Sequence, residues 1–295
     1  MRTYAFETWD VFTDRRFAGN PLAIVMDAQG LSGEEMQAIA REFNLSETSF
    51  VLAPEEPGHT ARVRIFTPGY EMPFAGHPTV GTAIAVAEAR GIEGEVLFEL
   101  NAGLFPVRVE RKGDAISAEF RNPNAPAEHG AAPSAAQIEA ALSLPSGSVD
   151  RDEHRPRRVG AGVDYIYARA PLSVVQKAKL DSAAWEKLSL DEIVGVLLYA
   201  EGGETAVADY HVRMFAPGAG VAEDPATGSA ASALPGQVAL SERLADDAYS
   251  WRVEQGFEMG RPSIIRVSFD VVNGAASTVR VGGGAVKMSS GEIYV

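Results

Sequence analysis

The stretch Arg64-Ile65-Phe66-Thr67-Pro68, followed eleven residues after Phe66 by His77-Pro78-Thr79-Val80-Gly81-Thr82-Ala83, decides how this chain is read. It returns in altered form as Arg213-Met214-Phe215-Ala216-Pro217, followed nine residues after Phe215 by Asp224-Pro225-Ala226-Thr227-Gly228-Ser229-Ala230. Each copy reads as a strand, a loop, a polar residue and a proline, then a glycine and a hydroxyl opening an Ala-rich helix. A pattern repeated in this order points to a duplicated unit, hence to two halves of one architecture. The segment from Arg64 to Ala89 is therefore expected to superpose on that from Arg213 to Leu234.

The flanking sequence fills out both halves. Thr3 to Phe12 alternates and reads as a half-buried strand. Leu22 to Met26 is a second apolar run. Ser32 caps a helix, with Glu35 as capping-box partner and Met36, Ile39, Ala40 and Phe43 as its apolar stripe. Strands are expected at 49–53, 61–67, 95–100, 104–110 and 115–120, with a small-residue helix from Pro78 to Ala89 that stops at Gly91. Arg121 to Pro133, with Pro123, Pro126 and Pro133, reads as a linker. Beyond it, Ser134 caps a short helix to Leu142. Strands are expected at 157–160, 164–168, 193–200, 206–215, 250–254 and 263–269, with helices at 182–188 and from Pro225. Pro235 is expected to kink or shorten that last helix.

Composition narrows the function. The 295 residues hold 26 Lys and Arg against 40 Asp and Glu, a net charge of −14. Such a chain repels phosphate backbones, and no local basic patch speaks for nucleic acid. The length suits about two domains, and a hydrophobic content of 46% marks a folded chain. No apolar run approaches the length of a membrane span, and Met1 to Asp10 has no apolar block of a signal peptide, so a cytoplasmic location without membrane partners is expected. With no cysteine, every thiol mechanism and disulfide is excluded. No His/Asp/Glu spacing suggests a metal site, and Gly282-Gly283-Gly284 follows no strand-to-helix turn of the phosphate-binding kind. No metal and no other cofactor is expected.

The repeated turns are the candidate chemistry. A helix start offers backbone N–H groups without intrahelical partners and a partial positive charge, which suits a carboxylate or a developing enolate. Two such starts facing one cleft, with His77 and Asp224 on its walls, would make an anion site near Gly76–Thr79 and Gly228–Ser229. Bland readings stand beside this. Asp224 before Pro225 is a good N-cap, a lone His77 is usually a satisfied core or surface residue, Thr82 and Ser229 can simply pack, and Glu47 can be a turn carboxylate.

Taken together, these stretches resemble the PhzF-like family, the phenazine biosynthesis isomerase-type proteins of the diaminopimelate epimerase-like fold. The resemblance covers nearly the whole chain. It is carried by Asp10-Val11-Phe12-Thr13 with Phe17-Ala18-Gly19-Asn20-Pro21, by Asn44-Leu45-Ser46-Glu47-Thr48-Ser49-Phe50, and by Arg64 to Pro68 with Glu71 to Thr79. Glu223 to Ala230 and Gln255-Gly256 with Gly260-Arg261-Pro262-Ser263 complete it. It implies an α/β (α+β) fold of two pseudo-symmetric halves, each a curved mixed sheet wrapped around a central helix. Residues 1–123 with 282–295 would form the N-terminal half, because the last strand returns there, and 124–281 the C-terminal half.

The resemblance also implies roles. Glu47 matches the proton-shuttling acid/base. His77 and Asp224 match polar residues of the catalytic site that either orient substrate or carry a second proton. Ser229, Gly76 and Gly228 match substrate-binding positions, the glycines through their N–H groups. The implied activity is a cofactor-independent isomerase moving a proton between carbons of a small carboxylated, for instance cyclic amino-hydroxy, metabolite in the cleft between the halves. The alternatives are a lyase or hydrolase acting on another acidic metabolite, or a non-catalytic small-molecule-binding protein. The resemblance allows a homodimer.

Overall fold

Thr3–Val11 (β1) is buried through its last three residues, Trp9 to Val11, and pairs edge to edge with Asn20–Val25 (β2) as an antiparallel partner, Phe6 opposite Val25 and Val11 opposite Asn20. The computed structural model describes residues 1–188, 190 and 193–295, and of Ala219 the backbone alone. The chain divides into two units, Met1–Arg121 with Gly282–Val295, and Asn122–Val281.

In the first unit, β2 leads through helix α1 (Gly33–Phe43) to Glu47–Leu52 (β3), which lies parallel to β2. The Ser32 capping box with Glu35 forms as the sequence demands, and Asn44 ends the helix in the left-handed region. Met36, Ile39 and Ala40 enter a core with Tyr4, Val25, Phe50 and Phe66; burying the two larger of these side chains contributes about 1.5–3 kcal/mol each. Ala61–Phe66 (β4) is antiparallel to β3 and to the short Glu71–Met72 (β5). Helix α2 (Gly76–Arg90) then returns the chain to Gly94–Leu100 (β6), parallel to β4. Gly103–Lys112 (β7) and Ala115–Arg121 (β8) complete an antiparallel meander.

Helix α2 packs against β1, β2, β3, β7 and β8, and every residue from Gly76 to Ala87 is buried. That explains its composition. A Cβ on Gly81 would come 2.6 Å from a Val11 methyl and 2.7 Å from a Leu22 methyl. Strands on several sides leave no polar face, so the helix shows little amphipathy.

The second unit repeats this course. The brief Ala127–Glu128 (β9) pairs with Arg157–Gly160 (β10) after the capped helix α3 (Ala135–Ala141). Asp164–Arg169 (β11) is antiparallel to β10, and helices α4 (Leu172–Val175) and α5 (Ser182–Trp185) cross to Val196–Glu201 (β12), parallel to β11. Tyr210–Ala216 (β13) is antiparallel to β12 and to Val221–Asp224 (β14). Helix α6 (Gly228–Ser241) leads to Ala248–Gln255 (β15), parallel to β13, and Ser263–Val272 (β16) follows antiparallel. The last strand, Ala275–Tyr294 (β17), ends along β1, with Ala285 opposite Val11 and Tyr294 opposite Thr3. Both halves are curved mixed α+β sheets of one topology. Among the described residues no helix is long and apolar enough to cross a membrane.

The equivalence of the halves reaches single side chains. Arg64 grips Glu71 through Nε and Nη2 at 2.7 and 2.6 Å, and Arg213 grips Glu223 in the same way at 2.8 Å twice. The guanidinium carbon lies 5.1 Å from the Phe66 ring in one half and 5.0 Å from the Phe215 ring in the other. A bidentate Arg–carboxylate pair thus pins the short return strand to its neighbour in both copies.

Four expectations need correction. Helix α2 begins at Gly76, so Pro78 is its third residue and not its first; the first turn has no donors to lose, and proline is accommodated there. Helix α6 begins at Gly228 with Thr227 at the N-cap, three residues after Pro225. The helix starts therefore make Gly76-His77 the counterpart of Gly228-Ser229, a shift from the pairing of His77-Pro78 with Asp224-Pro225. Pro235 does not shorten α6, which runs on to Ser241. The proline-rich stretch after Arg121 is also no free linker. Asn122 is buried and donates to the Ala161 carbonyl and Ser232 Oγ at 3.1 and 3.0 Å, and Pro126 packs where a Cβ on Gly236 would stand 2.6 Å away.

Candidate active site

In the first unit, three of the expected residues come together. Glu47 is the first residue of β3, and its Oε2 lies 3.5 Å from Nε2 of His77. His77 is the second residue of α2 and is 4% exposed. Its Nδ1 lies 3.3 Å from Nδ2 of the fully buried Asn20, whose Oδ1 accepts from Ser46 Oγ at 3.2 Å. With the Asn20 oxygen occupied by Ser46, its NH2 faces the ring. The ring is pulled two ways, since the Asn20 amide favours a bare Nδ1 while the Pro21 carbonyl accepts a ring proton; Nε2 makes no hydrogen bond and only approaches Glu47. Burial drives the His77 pKa down to about 3, against the smaller upward pull of the Pro21 carbonyl. At neutral pH the ring is uncharged.

Gly76 and His77 open α2 without a side-chain cap, since Ala75 has none to offer. The Ala75 carbonyl accepts from Thr79 N at 3.2 Å and from Thr79 Oγ1 at 2.7 Å. The N–H groups of Gly76 and His77 have no partner within the helix, and they point from its positive end.

In the second unit, Asp224, Gly228 and Ser229 are gathered by one turn. Asp224 ends β14 and is not the helix cap; Thr227 Oγ1 donates to its Oδ2 at 2.5 Å. Gln255 ties the turn. Its Nε2 donates to the Asp224 carbonyl at 2.7 Å and to Thr227 Oγ1 at 3.0 Å, and its Oε1 accepts from Thr227 N at 3.0 Å. Gly256 follows in the left-handed region, at φ +77°, where a Cβ would lie 2.6 Å from both the Pro225 and Arg261 carbonyl oxygens. Only glycine admits that approach. Ser229 Oγ lies 2.7 Å from the hydroxyl of the buried Tyr165. Helix α6 also starts without a side-chain cap, so Gly228 and Ser229 present N–H groups as Gly76 and His77 do.

Each half thus offers an open helix start with a polar side chain on its second residue, His77 in one and Ser229 in the other. Glu47 brings a carboxylate to the first, and Asp224 brings one to the second. Sequence reading missed the supporting residues. Asn20, Ser46, Thr227 and Gln255 stand within the motif stretches, which is the signal that could have found them. Tyr165 stands in an ordinary strand and no local signal marks it. Among the described residues no group of three His, Asp or Glu is arranged to hold a metal ion.

Known proteins resemble the chain over its whole length. The family model of the phenazine biosynthesis-like proteins (PhzC-PhzF) matches residues 9–291. An uncharacterised isomerase of Mesorhizobium japonicum is 43% identical over 100% of both chains. The trans-2,3-dihydro-3-hydroxyanthranilate isomerase of Pseudomonas aeruginosa is 35% identical over 97% of this chain and 98% of its own. The crystal structure of a Bacillus anthracis phenazine biosynthesis protein of the PhzF family superposes with a TM-score of 0.90 at 28% identity, covering 100% of both chains. The fold is the one shared with diaminopimelate epimerase-like proteins. Matched from near its first strand to near its last, the chain belongs to the phenazine biosynthesis-like PhzC-PhzF family.

Proposed function

We propose that this protein is a cofactor-independent isomerase that moves a proton between two carbons of a small carboxylated metabolite, with Glu47 as the shuttle. The observation that carries the reading is the Glu47–His77 pair at the open start of α2, with Oε2 and Nε2 3.5 Å apart. Of the two groups, His77 is the poor base. Burial holds its pKa at about 3, so it does not take up a proton released from carbon near neutral pH. Glu47 can take one, and a carboxyl group that has accepted a proton can return it to a second carbon without any other carrier. His77, neutral near pH 7, stands beside the carboxylate without adding a charge to it. The N–H group of Gly76 in the first unit, and that of Gly228 with Ser229 in the second, are each assigned to substrate binding, where helix ends favour negative charge. Asp224 is assigned to an amino or hydroxyl group of substrate.

The named activity of the Pseudomonas aeruginosa relative supplies the substrate class to try first. The test is incorporation of solvent deuterium into trans-2,3-dihydro-3-hydroxyanthranilate, followed by NMR, for wild type and Glu47→Gln. Incorporation by wild type and its loss in the variant support the reading. A variant that exchanges as fast as wild type removes Glu47 from the role, and binding without exchange makes the protein a carrier of the metabolite.

A further inference from the structure

His211 is fully buried in β13 and lies between two carboxylates. Nδ1 is 3.1 Å from Glu254 Oε2, and Nε2 is 2.9 Å from Glu258 Oε1. Both ring nitrogens face acceptors, so both must carry protons for both bonds to form. Glu254 belongs to β15 and also accepts from the N–H groups of Glu204 and Thr205, each at 2.8 Å, and from the Thr205 hydroxyl. Glu258 sits in the tight turn after β15, closed by Met259, Gly260 and Arg261 N–H bonds to Gly256 and Phe257 carbonyls. The Phe257 ring stands edge-on to His211 at 5.7 Å. Arg213, on the same strand, holds Glu223 and reaches to 3.9 Å from Glu258.

The first unit has a counterpart. Arg62 in β4 is registered with Glu99 in β6, just as His211 in β13 is registered with Glu254 in β15. Glu99 accepts from the N–H groups of Glu55 and Glu56 at 2.8 and 2.9 Å, as Glu254 does from its own loop. The side-chain partner of Glu99 is also a histidine, His59, whose Nδ1 lies 2.6 Å from Oε1, while Arg62 pairs with Glu55.

We propose that His211 is a positioning residue for the Asp224 turn: by bonding Glu258 it holds the Gly256–Arg261 turn against Pro225 and thereby sets Asp224 and the start of α6. The path is short and made of contacts. Glu258 anchors the turn, Gly256 in that turn touches the Pro225 backbone, and Gln255 bonds the Asp224 carbonyl and Thr227. Burial alone would lower the His211 pKa; Glu258 and Glu254 outweigh it and hold it above its ordinary value. The hold is therefore present below neutral pH and is released as pH rises through the raised pKa. The consequence for turnover rests on the isomerase reading; the positioning itself does not.

The experiment is amide hydrogen exchange on the full chain at pH 6 to 9.5, for wild type, His211→Gln, His211→Arg and Glu258→Gln. The reporters are Met259, Gly260, Arg261 and Thr227, with β4 amides as the internal control. His211→Gln and Glu258→Gln should raise exchange at the reporters at least about tenfold at pH 6, the effect of losing one hydrogen bond to a charged group. His211→Arg should restore protection to within about twofold and remove its pH dependence, while β4 stays unchanged. Equal exchange in His211→Gln and wild type overturns the proposal, and so does an arginine variant as open as the glutamine one. If the variants lose β4 protection as well, the residue is a general stabiliser and the proposal falls. Deuterium incorporation into trans-2,3-dihydro-3-hydroxyanthranilate, measured on the same samples, separates the two readings. Reporters that respond without any turnover refute the isomerase and leave the positioning standing.

Discussion

Replacing His77 by Asn should make the protein less sensitive to acid, and the size of the effect follows from the burial of the ring. Folded His77 has a pKa of about 3 against an ordinary 6.5. Between these values the unfolded chain binds a proton that the native state refuses. Stability therefore falls as pH drops below about 6.5, by about 1.4 kcal/mol per unit, until the folded ring itself protonates near pH 3. From pH 6.5 to pH 4 the loss is about 3 kcal/mol, and the Asn variant lacks it. His211 does not blur the comparison. Its pKa is raised, so its contribution changes above the ordinary histidine value and not below it. The remaining histidines and all carboxylates are common to both proteins and cancel. The assay is urea unfolding at pH 4, 5, 6 and 7, followed by tryptophan fluorescence and far-ultraviolet circular dichroism. The stability difference between wild type and variant should shift by about 3 kcal/mol across that range, in favour of the variant at low pH. Curves that stay parallel within about 0.5 kcal/mol, a resolution good enough to see a change of less than half a pKa unit, would refute the neutral buried imidazole. The assignment of Glu47 as the sole proton carrier would fall with it.

Other outcomes are expected from neighbouring features. Glu47→Gln should cost at least about a hundredfold in deuterium incorporation with little change in substrate affinity, read from NMR rates and saturation curves. Gly256→Ala forces a side chain into left-handed backbone and against the Pro225 and Arg261 carbonyl oxygens; it should destabilise by about 2–4 kcal/mol in urea unfolding, and a loss below about 1 kcal/mol would contradict the close approach. Tyr165→Phe removes the partner of Ser229 Oγ while keeping the ring, so it should raise KM more than it lowers kcat; the reverse pattern would move Ser229 from binding to chemistry. Pro235→Ala restores a helix N–H to the interior of α6 and should stabilise the protein by about 1 kcal/mol or more in thermal or urea unfolding.

Much of this protein is legible in its residues alone. Where a helix sits on the surface of its half, its ends are written in polar side chains, and both capping boxes, Ser32 with Glu35 and Ser134 with Gln137, form in the structure. The alternating runs at Gly103–Lys112 and Ser263–Val272 are strands because period-two burial leaves little choice. The repeat, the absence of thiols and the motif residues Glu47, His77, Asp224 and Ser229 are likewise visible in the sequence itself.

The central helices are another matter. Wrapped by strands, they need no polar cap and no apolar stripe, so the usual signals of a start are missing, and proline misplaces both starts, at Pro78 and at Pro225. Only the tertiary structure decides that Gly76-His77 answers to Gly228-Ser229. It also brings Asn20 to His77 and Tyr165 to Ser229, across 57 and 64 residues of chain. Local pattern records what a residue prefers beside its neighbours in sequence. Burial of a titratable ring, the approach of a backbone to Gly256, and the pairing of His211 with two carboxylates depend on residues distant in the chain, and those are set only when the sheets close around their helices.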